Sequence, residues 1–387
     1  MRGPACAMRF FQAALLLAAL ASCASVVSYP ERTRVPADLA GAAHAGDPVM
    51  ADENALMDRL GIVWVRNDFY WNRVEPRRGE WDFSRYDKMV EENKKSGRKI
   101  LATLAFDNNW LYKNGKRRDY VSSEHLPLYL EYVEKVVTRY KGKVDAWEIW
   151  NEPNVPIRFW NGPPKDFFAL SAAAAKKIKQ CDSGAYVIAG AFFRLPVSFI
   201  KAMHRAGALE NVDALSVHPY ASTPGAVVRL YDKFEKLTRG LGFAGDLWVT
   251  EIGYPVAGFY PMTIPEKRLG DYIVKTMTLL AARGARVVVW YQLSESYLQG
   301  YAPAPVNSER FFGLAYKDFQ LRSGAGAFAD IVGAIAGGEY LRDVPDAAGG
   351  GGRGAESFYF KKANGSMVRV YWDKKNPAKI ETVPARP

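Results

Sequence analysis

Residues 147–154 read WEIWNEPN, an apolar stretch that ends in asparagine, glutamate and proline. The apolar and aromatic residues of this stretch favour a buried β-strand over Val144–Trp150. Asn151 and Glu152 then follow directly on the end of that strand. In an α/β fold, the ends of parallel strands are where functional side chains collect, so this glutamate is the first candidate for a site.

A second stretch of the same kind lies further along the chain. Residues 250–254 read TEIGY and close another apolar run, Leu247–Thr250, with Glu251. Because the carboxyl ends of parallel strands lie at one face of a sheet or barrel, we expect the carboxylates of Glu152 and Glu251 to face the same cleft.

Strand-like and helix-like segments alternate through most of the chain, which is typical of a parallel sheet buried under helices. The predicted strands are Leu39–Ala43, Val63–Arg66, Ile100–Leu104, Val144–Trp150, Tyr186–Ala189, Ala214–Val217, Leu247–Thr250 and Val287–Tyr291. The predicted helices are Glu53–Leu60, Arg85–Ser96, Leu126–Tyr140, Asp166–Gln180, Ala226–Thr238, Ile264–Arg283 and Ala325–Ala336. Eight strands in this alternation predict an α/β fold that closes as a (β/α)8 TIM barrel.

The remainder of the chain predicts a small C-terminal β element. Residues 347–355 are rich in glycine and predict a linker, and Ala-Asn-Gly-Ser between two apolar runs predicts a β-hairpin with a further strand at Ile380–Val383. We therefore place the barrel domain at residues 39–346 and the β element at residues 356–387. Residues 23–38, rich in proline and charge, are expected to be a tether.

The first residues have the pattern of an export signal. A basic residue precedes the apolar run Phe10–Ala21, which is too short to span a bilayer. LASC at residues 20–23 then resembles the bacterial lipobox, which implies lipidation of Cys23. We expect a signal peptide at residues 1–22 and an exported bacterial protein that is lipid-anchored at the outer membrane and faces the periplasm. Ordinary export to the periplasm, with cleavage at a neighbouring alanine, is the alternative.

Composition excludes several classes of protein. The histidines and cysteines are never spaced as CxxC or HExxH, and neither a GxxxxGK[ST] loop nor a GxSxG elbow is present in the sequence. We therefore expect neither a metal ion nor an organic cofactor. The scattered distribution of lysine and arginine argues against nucleic acid as a partner. We expect a monomer.

The net charge of +11 leaves two interpretations open. Arg73, Arg77 and Arg78 follow the second predicted strand, and Lys113–Arg118 follows the third, so these cations would rim the cleft. If they contact the substrate, it would be a long anionic polymer. A solvated basic surface around a neutral β-glycan is the equal alternative.

Two carboxyl groups in one cleft suit the hydrolysis of a glycosidic bond. Hydrolysis with retention of configuration needs a protonated carboxyl for the leaving oxygen and a carboxylate that attacks the anomeric carbon, with the two groups about 5–5.5 Å apart. Glutamates at the ends of the fourth and seventh strands of one barrel meet this requirement.

Further motifs accompany these two glutamates, namely WVR at residues 64–66, WNRVEP at 71–76, GEWDF at 79–83 and SVHPY at 216–220. In combination the chain resembles glycoside hydrolase clan A, and within it family 39, which includes β-xylosidases, α-iduronidases and bacterial exopolysaccharide glycosidases. The resemblance covers roughly Leu39–Leu314. The weak first strand around His44 and the short C-terminal β part depart from the larger members of the family.

The resemblance implies roles for the residues that match the motifs. Glu152 corresponds to the acid/base, Glu251 to the nucleophile, and Asn151 to a contact of the sugar 2-hydroxyl. Arg66 is either a structural partner of the buried acid Glu148 or a donor to Glu251, and the resemblance favours the second role.

Other residues are candidates for binding a sugar. His218 and Tyr220 end the sixth strand, so one of them should hydrogen-bond Glu251 or the sugar. Trp290 at the end of the eighth strand is expected to be a stacking platform, because the apolar faces of sugars bind aromatic planes. The aromatic residues of the loops are weaker candidates, and they are Trp110, Tyr112, Trp160, Tyr254 and Tyr260.

Taken together, the sequence predicts a retaining glycoside hydrolase that acts on an oligo- or polysaccharide, with a bacterial exopolysaccharide as a candidate substrate. One alternative is a non-catalytic polysaccharide-binding lipoprotein, which predicts the loss of a catalytic carboxylate. Another is a transglycosidase, which would use the same residues with a sugar acceptor in place of water.

Overall fold

The computed structural model of the chain describes residues 32–47, 50–113, 115, 118–258, 260–295, 308–342 and 355–383. The predicted signal peptide, Cys23 and residues 347–354 of the glycine-rich linker lie outside these ranges, so what the sequence says of them stays a prediction. Within the described part, no helix has both the length and the hydrophobicity that crossing a bilayer would require.

A closed barrel of parallel strands forms the centre of the molecule, as predicted. Each strand pairs with its neighbour in chain order, and the last strand pairs with the first. After a short N-terminal strand, β1 (Arg32–Arg34), the barrel strands are β2 (Ala40–Ala43), β3 (Trp64–Tyr70), β4 (Lys99–Ala105), β5 (Ala146–Ile149), β6 (Val187–Phe193), β7 (Ala214–His218), β8 (Asp246–Ile252) and β9 (Val288–Trp290). The apolar core continues from the strands into the surrounding helices.

Helices connect the barrel strands and cover the outside of the barrel. They are α1 (Ala51–Leu60), α2 (Trp71–Val74), α3 (Ser84–Lys95), α4 (Leu126–Arg139), α5 (Pro164–Cys181), α6 (Val197–Arg205), α7 (Pro224–Gly240), α8 (Leu269–Ala281) and α9 (Ala327–Ile335). Each predicted helix corresponds to one of these elements. The sequence missed α2 and α6, which have four and nine residues.

The C-terminal β element is confirmed, but it is larger than predicted. It is an antiparallel sheet in the order β1, β10 (Glu339–Leu341), β11 (Glu356–Lys361), β12 (Met367–Trp372) and β13 (Lys379–Val383). The prediction of a tether over residues 23–38 is therefore wrong in its last part, because β1 pairs with β10. Likewise β10, assigned by prediction to the barrel domain, belongs to this sheet. Pairing between strands so far apart in sequence leaves no local pattern.

A bulge in β6 shapes the barrel next to the predicted site. The register between β6 and β7 shifts between Ala189 and Phe192, and Gly190 adopts φ +121°. A Cβ atom at Gly190 would lie 2.5 Å from the carbonyl oxygen of Ser216, so the two strands approach too closely for any side chain here. The following residue, Ala191, is turned so that its backbone reaches both Ser216 and the loop after β5.

Candidate active site

A cavity of about 510 Å³ opens at the carboxyl ends of the barrel strands. Both predicted carboxylates lie in it. Glu152 lies in the loop that follows β5, and Glu251 is the next-to-last residue of β8. The residues that line it are His44, Asp68, Tyr70, Arg73, Phe106, Asn151, Glu152, Arg158, Phe159, Phe193, Tyr220, Glu251, Tyr260, Tyr291, Glu309 and Phe312. The strand ends thus converge on one site, as the sequence predicts.

Glu152 and Glu251 stand at the distance that double displacement needs. Ligand atoms of Glu152, His218 and Glu251 all lie within 4.8 Å of one another, so one oxygen of each carboxylate is that close to the other. This fits the separation of about 5–5.5 Å typical of retaining glycosidases and is shorter than the 6.5–9.5 Å of inverting ones. Glu152 holds its place with a left-handed backbone, φ +45°, and its N–H donates to the carbonyl of Ala191 at 3.1 Å.

The surroundings of the two carboxyl groups shift their pKa values in opposite directions. Burial raises the pKa of Glu152, and the negative charge of Glu251 adds to this, against the opposing effect of His218. Burial alone would also raise the pKa of Glu251, but attraction to His218 and Arg66, together with the hydrogen bond from Tyr220, outweighs it and lowers that pKa. The site therefore favours a protonated Glu152 beside an ionised Glu251.

Arg66 of β3 takes both of the roles that the sequence left open. Its Nε donates to Glu148 Oε2 at 2.8 Å, and its Nη1 donates to Glu251 Oε1 at 2.6 Å. Its Nη2 also donates to Asn151 Oδ1 at 2.9 Å. One guanidinium thus fixes the predicted nucleophile and the predicted sugar contact, and is itself held by Glu148.

Glu148 connects this arginine to the backbone of Glu152, the other predicted catalytic residue. It is fully buried on β5, and its second oxygen accepts the hydroxyl of Ser216 at 2.7 Å. The same hydroxyl oxygen accepts the N–H of Ala191, whose carbonyl binds the backbone of Glu152. We call Arg66, Glu148 and Ser216 the floor of the site. The interpretation of Glu148 as a buried acid is correct, and its position shows that it supports both carboxylates.

His218 and Tyr220 contact different carboxylates. The hydroxyl of Tyr220 donates to Glu251 Oε2 at 3.1 Å, as expected for one of the pair. Nδ1 of His218 lies 2.9 Å from Glu152 Oε1 and 3.6 Å from Glu251, so its hydrogen bond is with the acid/base candidate. Nε2 of His218 lies 3.1 Å from the hydroxyl of Thr250, which holds the ring in place.

The prediction that Trp290 is a stacking platform is wrong. Its side chain is fully buried on β9 and packs against Tyr254 and Phe328. The next residue, Tyr291, lines the cavity instead, and its hydroxyl donates to Glu309 at 2.9 Å. Successive side chains of a strand point to opposite faces, so a shift of one position decides which aromatic ring faces the cavity.

Three further aromatic candidates also lie away from the lining of the cavity. Tyr254 is buried and its hydroxyl shares a hydrogen bond with Thr276. Trp160 is buried against Trp150. Trp110 is half-buried, and its Nε1 donates to a backbone carbonyl at 3.0 Å. The structure therefore does not support a contact of these three residues with the substrate. The sequence alone cannot distinguish a loop aromatic residue that packs inside the protein from one that faces the cavity.

The sequence missed several residues that line the cavity. Asp68 and Tyr70 continue from Arg66 at every second position along β3, so they face the same side of the strand. Extending that alternation beyond the predicted end of the strand would have found them. Phe106 and Phe193 follow from the same underestimate of strand length in β4 and β6.

The cations predicted to rim the cleft differ in their positions and in their ion pairs. Arg73 lines the cavity, with its guanidinium 4.6 Å from the ring of Tyr70. Arg77 forms an ion pair with Glu80, and Arg78 forms ion pairs with Glu75 and Glu131, and neither lines the cavity. The run at Lys113–Arg118 lies partly outside the described residues.

Glu152, His218 and Glu251 form the one group in the described part of the chain whose geometry could hold a metal ion. Each member already has a partner, since Arg66 and Tyr220 bind Glu251 and His218 binds Glu152. Two carboxyl groups beside a histidine also suit a pair of catalytic groups, one a proton donor and the other a nucleophile, without a metal ion. The expectation of no metal stays a prediction.

Comparison with known proteins extends the sequence resemblance. The family described as glycosyl hydrolase family 10 matches residues 37–158, which include Asn151 and Glu152. A β-1,4-xylanase of Dictyoglomus thermophilum is 32% identical over 104 residues, 26% of this chain and 28% of the relative. A β-xylosidase of Caldicellulosiruptor saccharolyticus is 41% identical over 56 residues, 14% of this chain and 12% of the relative. The matched segments thus span less than a third of these curated relatives.

Solved structures match over a much larger part of the chain. A family 39 glycoside hydrolase from Bacteroides cellulosilyticus WH2 superposes with a TM-score of 0.72 at 21% identity, covering 88% of this chain and 71% of the other. A monomeric β-xylosidase from Caulobacter crescentus CB15 has a TM-score of 0.65 at 19% identity, covering 89% and 76%. At these identities the likeness is one of fold. The chain is therefore similar in fold to family 39 enzymes of glycoside hydrolase clan A, as its motifs indicate.

Proposed function

We propose that the protein is a retaining glycoside hydrolase with Glu152 as acid/base and Glu251 as nucleophile. The observation that carries this proposal is the pair of carboxylates whose oxygens lie within 4.8 Å and whose pKa values are shifted in opposite directions. The presence of both carboxylates also weighs against the alternative of a non-catalytic polysaccharide-binding protein.

In the first step, Glu152 gives its proton to the glycosidic oxygen while an oxygen of Glu251 attacks the anomeric carbon. The bond between that carbon and the glycosidic oxygen breaks, and an ester forms between the sugar and Glu251. The leaving sugar departs as an alcohol with the proton from Glu152. Arg66 and Tyr220 keep the attacking carboxylate ionised before the step.

In the second step, Glu152 removes a proton from water, and the water oxygen attacks the same carbon. The ester breaks and Glu251 leaves as a carboxylate, so the product keeps the configuration of the substrate. The change of role at Glu152 has an electrostatic cause. Esterification removes the negative charge of Glu251 that helps to raise the pKa of Glu152. The pKa of Glu152 therefore falls, and its ionised form, which can accept a proton from water, is favoured when water must be activated.

As substrate we propose a β-linked oligo- or polysaccharide, with a bacterial exopolysaccharide as one member of that class. The names of the relatives, xylanase and xylosidase, support a β-linkage. The charges in the cavity support a neutral sugar over an acidic one, since Asp68 and Glu309 line it beside Arg73 and Arg158. Of the three arginines that follow β3, Arg77 and Arg78 are paired with acids outside the cavity, and Arg73 alone lines it.

We also propose that the protein is exported and anchored by a lipid on Cys23. The support comes from the sequence alone, namely the apolar run at Phe10–Ala21 and the LASC motif that follows it. Mass spectrometry of the native N-terminus would detect the diacylglycerol, and cleavage at another site without lipid would refute the anchor.

A screen of aryl β-glycosides and linkage-defined β-glycans tests the proposed activity. The first sugar released should have the anomeric configuration of the substrate by proton NMR, before mutarotation sets in. An added sugar acceptor should not become the main destination of the glycosyl group, which separates a hydrolase from a transglycosidase. Release of the inverted anomer, or no turnover of any glycan, would refute the proposal.

A further inference from the structure

An ion pair crosses the mouth of the cavity. Nη2 of Arg158 lies 2.8 Å from Oε1 of Glu309. Arg158 belongs to the segment after β5 and Glu309 to the segment after β9, which are the fourth and eighth strands of the closed ring of eight. Strands so related stand opposite each other, so the ion pair joins two opposite walls of the barrel. We call it the mouth bridge.

Both ends of the mouth bridge are held by further contacts. The other carboxylate oxygen of Glu309 accepts the hydroxyl of Tyr291 at 2.9 Å, and its backbone carbonyl accepts Nε2 of Gln292 at 2.9 Å. The guanidinium of Arg158 lies 4.8 Å from the ring centre of Phe159. Both side chains thus have further contacts at the positions from which they form the ion pair.

The reacting carboxylates lie below the mouth bridge. Glu152 and Glu251 are buried, whereas the side chain of Arg158 is 47% exposed and that of Glu309 18% exposed, so the bridge is nearer to solvent. In the ring of strands, the line from β5 to β9 has β3, with Asp68, on one side and β7 and β8 on the other, and residues from both sides line the cavity. A substrate that occupies both sides must pass beneath the bridge.

We propose that the mouth bridge makes the site accept a glycan by a free chain end, so that Arg158 and Glu309 determine specificity for chain ends over chain interiors. A polysaccharide cannot be laid across the mouth from the side while the two groups are joined, because the ion pair stands in its way. A free end can be threaded below it. This inference rests on the proposed function and adds the mode of attack, which nothing in the catalytic chemistry of the two glutamates decides.

The bridge is also able to open. Its guanidinium is half-exposed, and ion pairs in contact with water are weak and screened by salt. When the pair separates, side-on entry of a chain becomes available. Cleavage within chains should therefore increase with ionic strength in the wild type.

The experiment compares Arg158→Ala with the wild type on the glycan that the screen identifies. Oligosaccharides labelled at the reducing end report which bond is cut, and viscosity loss per reducing end formed on the polymer reports internal cleavage. The wild type should release sugars from one end at low salt. Arg158→Ala should shift towards internal cleavage, and the ratio of internal to end cleavage is compared after the activity of each variant has been normalised to its own turnover of an aryl glycoside.

Two controls separate the bridge from a general effect of charge. Arg158→Lys keeps the cation and should keep the pattern of the wild type. Arg77→Ala removes an exposed ion pair with Glu80 that does not line the cavity, and it should leave both the product pattern and its dependence on salt unchanged. The product pattern of Arg158→Ala itself should no longer respond to salt.

An Arg158→Ala pattern equal to that of the wild type, or internal cleavage by the wild type at low salt, would overturn the inference and leave the proposed hydrolase intact. Absence of hydrolysis of every glycan in the screen would overturn both.

Discussion

The floor and the mouth bridge each use an arginine and a glutamate, but they use them under opposite conditions. The side chains of Arg66 and Glu148 are 3% and 0% exposed, and every partner named for them above is buried. Arg158 of the bridge is half in water. Charges interact more strongly where water is excluded, so the floor holds the two carboxylates more firmly than the bridge holds its own two side chains together.

The two kinds of pair also differ in what their loss costs. Removing one partner of a buried pair leaves an uncompensated charge and costs about 3–5 kcal/mol. Removing one partner of an exposed pair costs about 0–1 kcal/mol. Mutations in the floor should thus affect stability and catalysis together, and mutations at the mouth should affect selectivity.

The largest expected effect is that of Glu251→Gly, which removes the group that the floor arginine positions. Hydrolysis should fall by about 10⁴-fold or more, because the covalent step has no nucleophile. Azide should restore turnover of an activated aryl glycoside and give the glycosyl azide of inverted configuration. Circular dichroism checks the fold. Retention of more than a few per cent of activity without azide would mean that the nucleophile is another residue.

Glu152→Ala should have the next largest effect, and it should depend on the leaving group. General acid catalysis contributes about 10²–10⁴-fold, so natural glycosides should be cleaved that much more slowly. Aryl glycosides with a good leaving group should still form the glycosyl-enzyme, which mass spectrometry of the intact protein would detect. Equal losses on good and poor leaving groups would assign Glu152 a structural role.

Glu148→Gln tests the floor itself, without touching a reacting group. Arg66 loses the neutralising charge of Glu148, so the free energy of unfolding should fall by about 3 kcal/mol, and kcat should fall with little change in KM. Chemical denaturation and steady-state kinetics measure the two effects. Glu80→Gln, which breaks an exposed pair with Arg77, is the matched control and should change stability by less than about 1 kcal/mol. Similar stabilities of the two variants would remove the distinction between floor and surface.

His218→Asn should move the pH profile of kcat/KM without narrowing it. Activity requires Glu251 ionised, which sets the acidic limb, and Glu152 protonated, which sets the alkaline limb. His218 lowers the pKa of both groups, so its removal should shift both limbs to higher pH. Movement of the limbs in opposite directions, or of one limb alone, would contradict the shared position of His218 between the two carboxylates.

The smallest expected effect is that of a chelator. Arg66 already forms an ion pair with Glu251, and His218 already hydrogen-bonds Glu152, so EDTA should leave kcat and KM unchanged. Loss of activity that a divalent cation restores would show that Glu152, His218 and Glu251 hold a metal.

The sequence was sufficient to predict the barrel and the positions of its two carboxylates. Alternation of strands and helices predicts a parallel barrel. In such a barrel the carboxyl ends of all strands lie at the same end, so two glutamates at strand ends must lie near each other. It was not sufficient for Trp290 and Tyr291, where one position of strand register separates the core from the cavity. The mouth bridge was equally invisible, because its two residues meet only once the ring of strands has closed.

The bulge at Gly190 could not be predicted from the sequence either, because its cause lies on another strand. A glycine is needed at position 190 because the carbonyl of Ser216 on the neighbouring strand leaves no room for a side chain, and no local sequence pattern reveals that contact. The same holds for the sheet at the end of the chain, where β1 was expected to be a tether and instead pairs with β10.

The pairing of β1 with β10 has a consequence for variants that are shortened at the N-terminus. In the order β1, β10, β11, β12, β13, the strand Arg32–Arg34 covers the outer side of β10. A chain trimmed to start at the first barrel strand would keep every residue of the barrel and still expose a row of backbone N–H and C=O groups along β10. Open edges of this kind are templates on which another chain can add a strand. The short strand upstream of the barrel thus completes the C-terminal sheet, and a chain that lacks it has β10 as its edge strand.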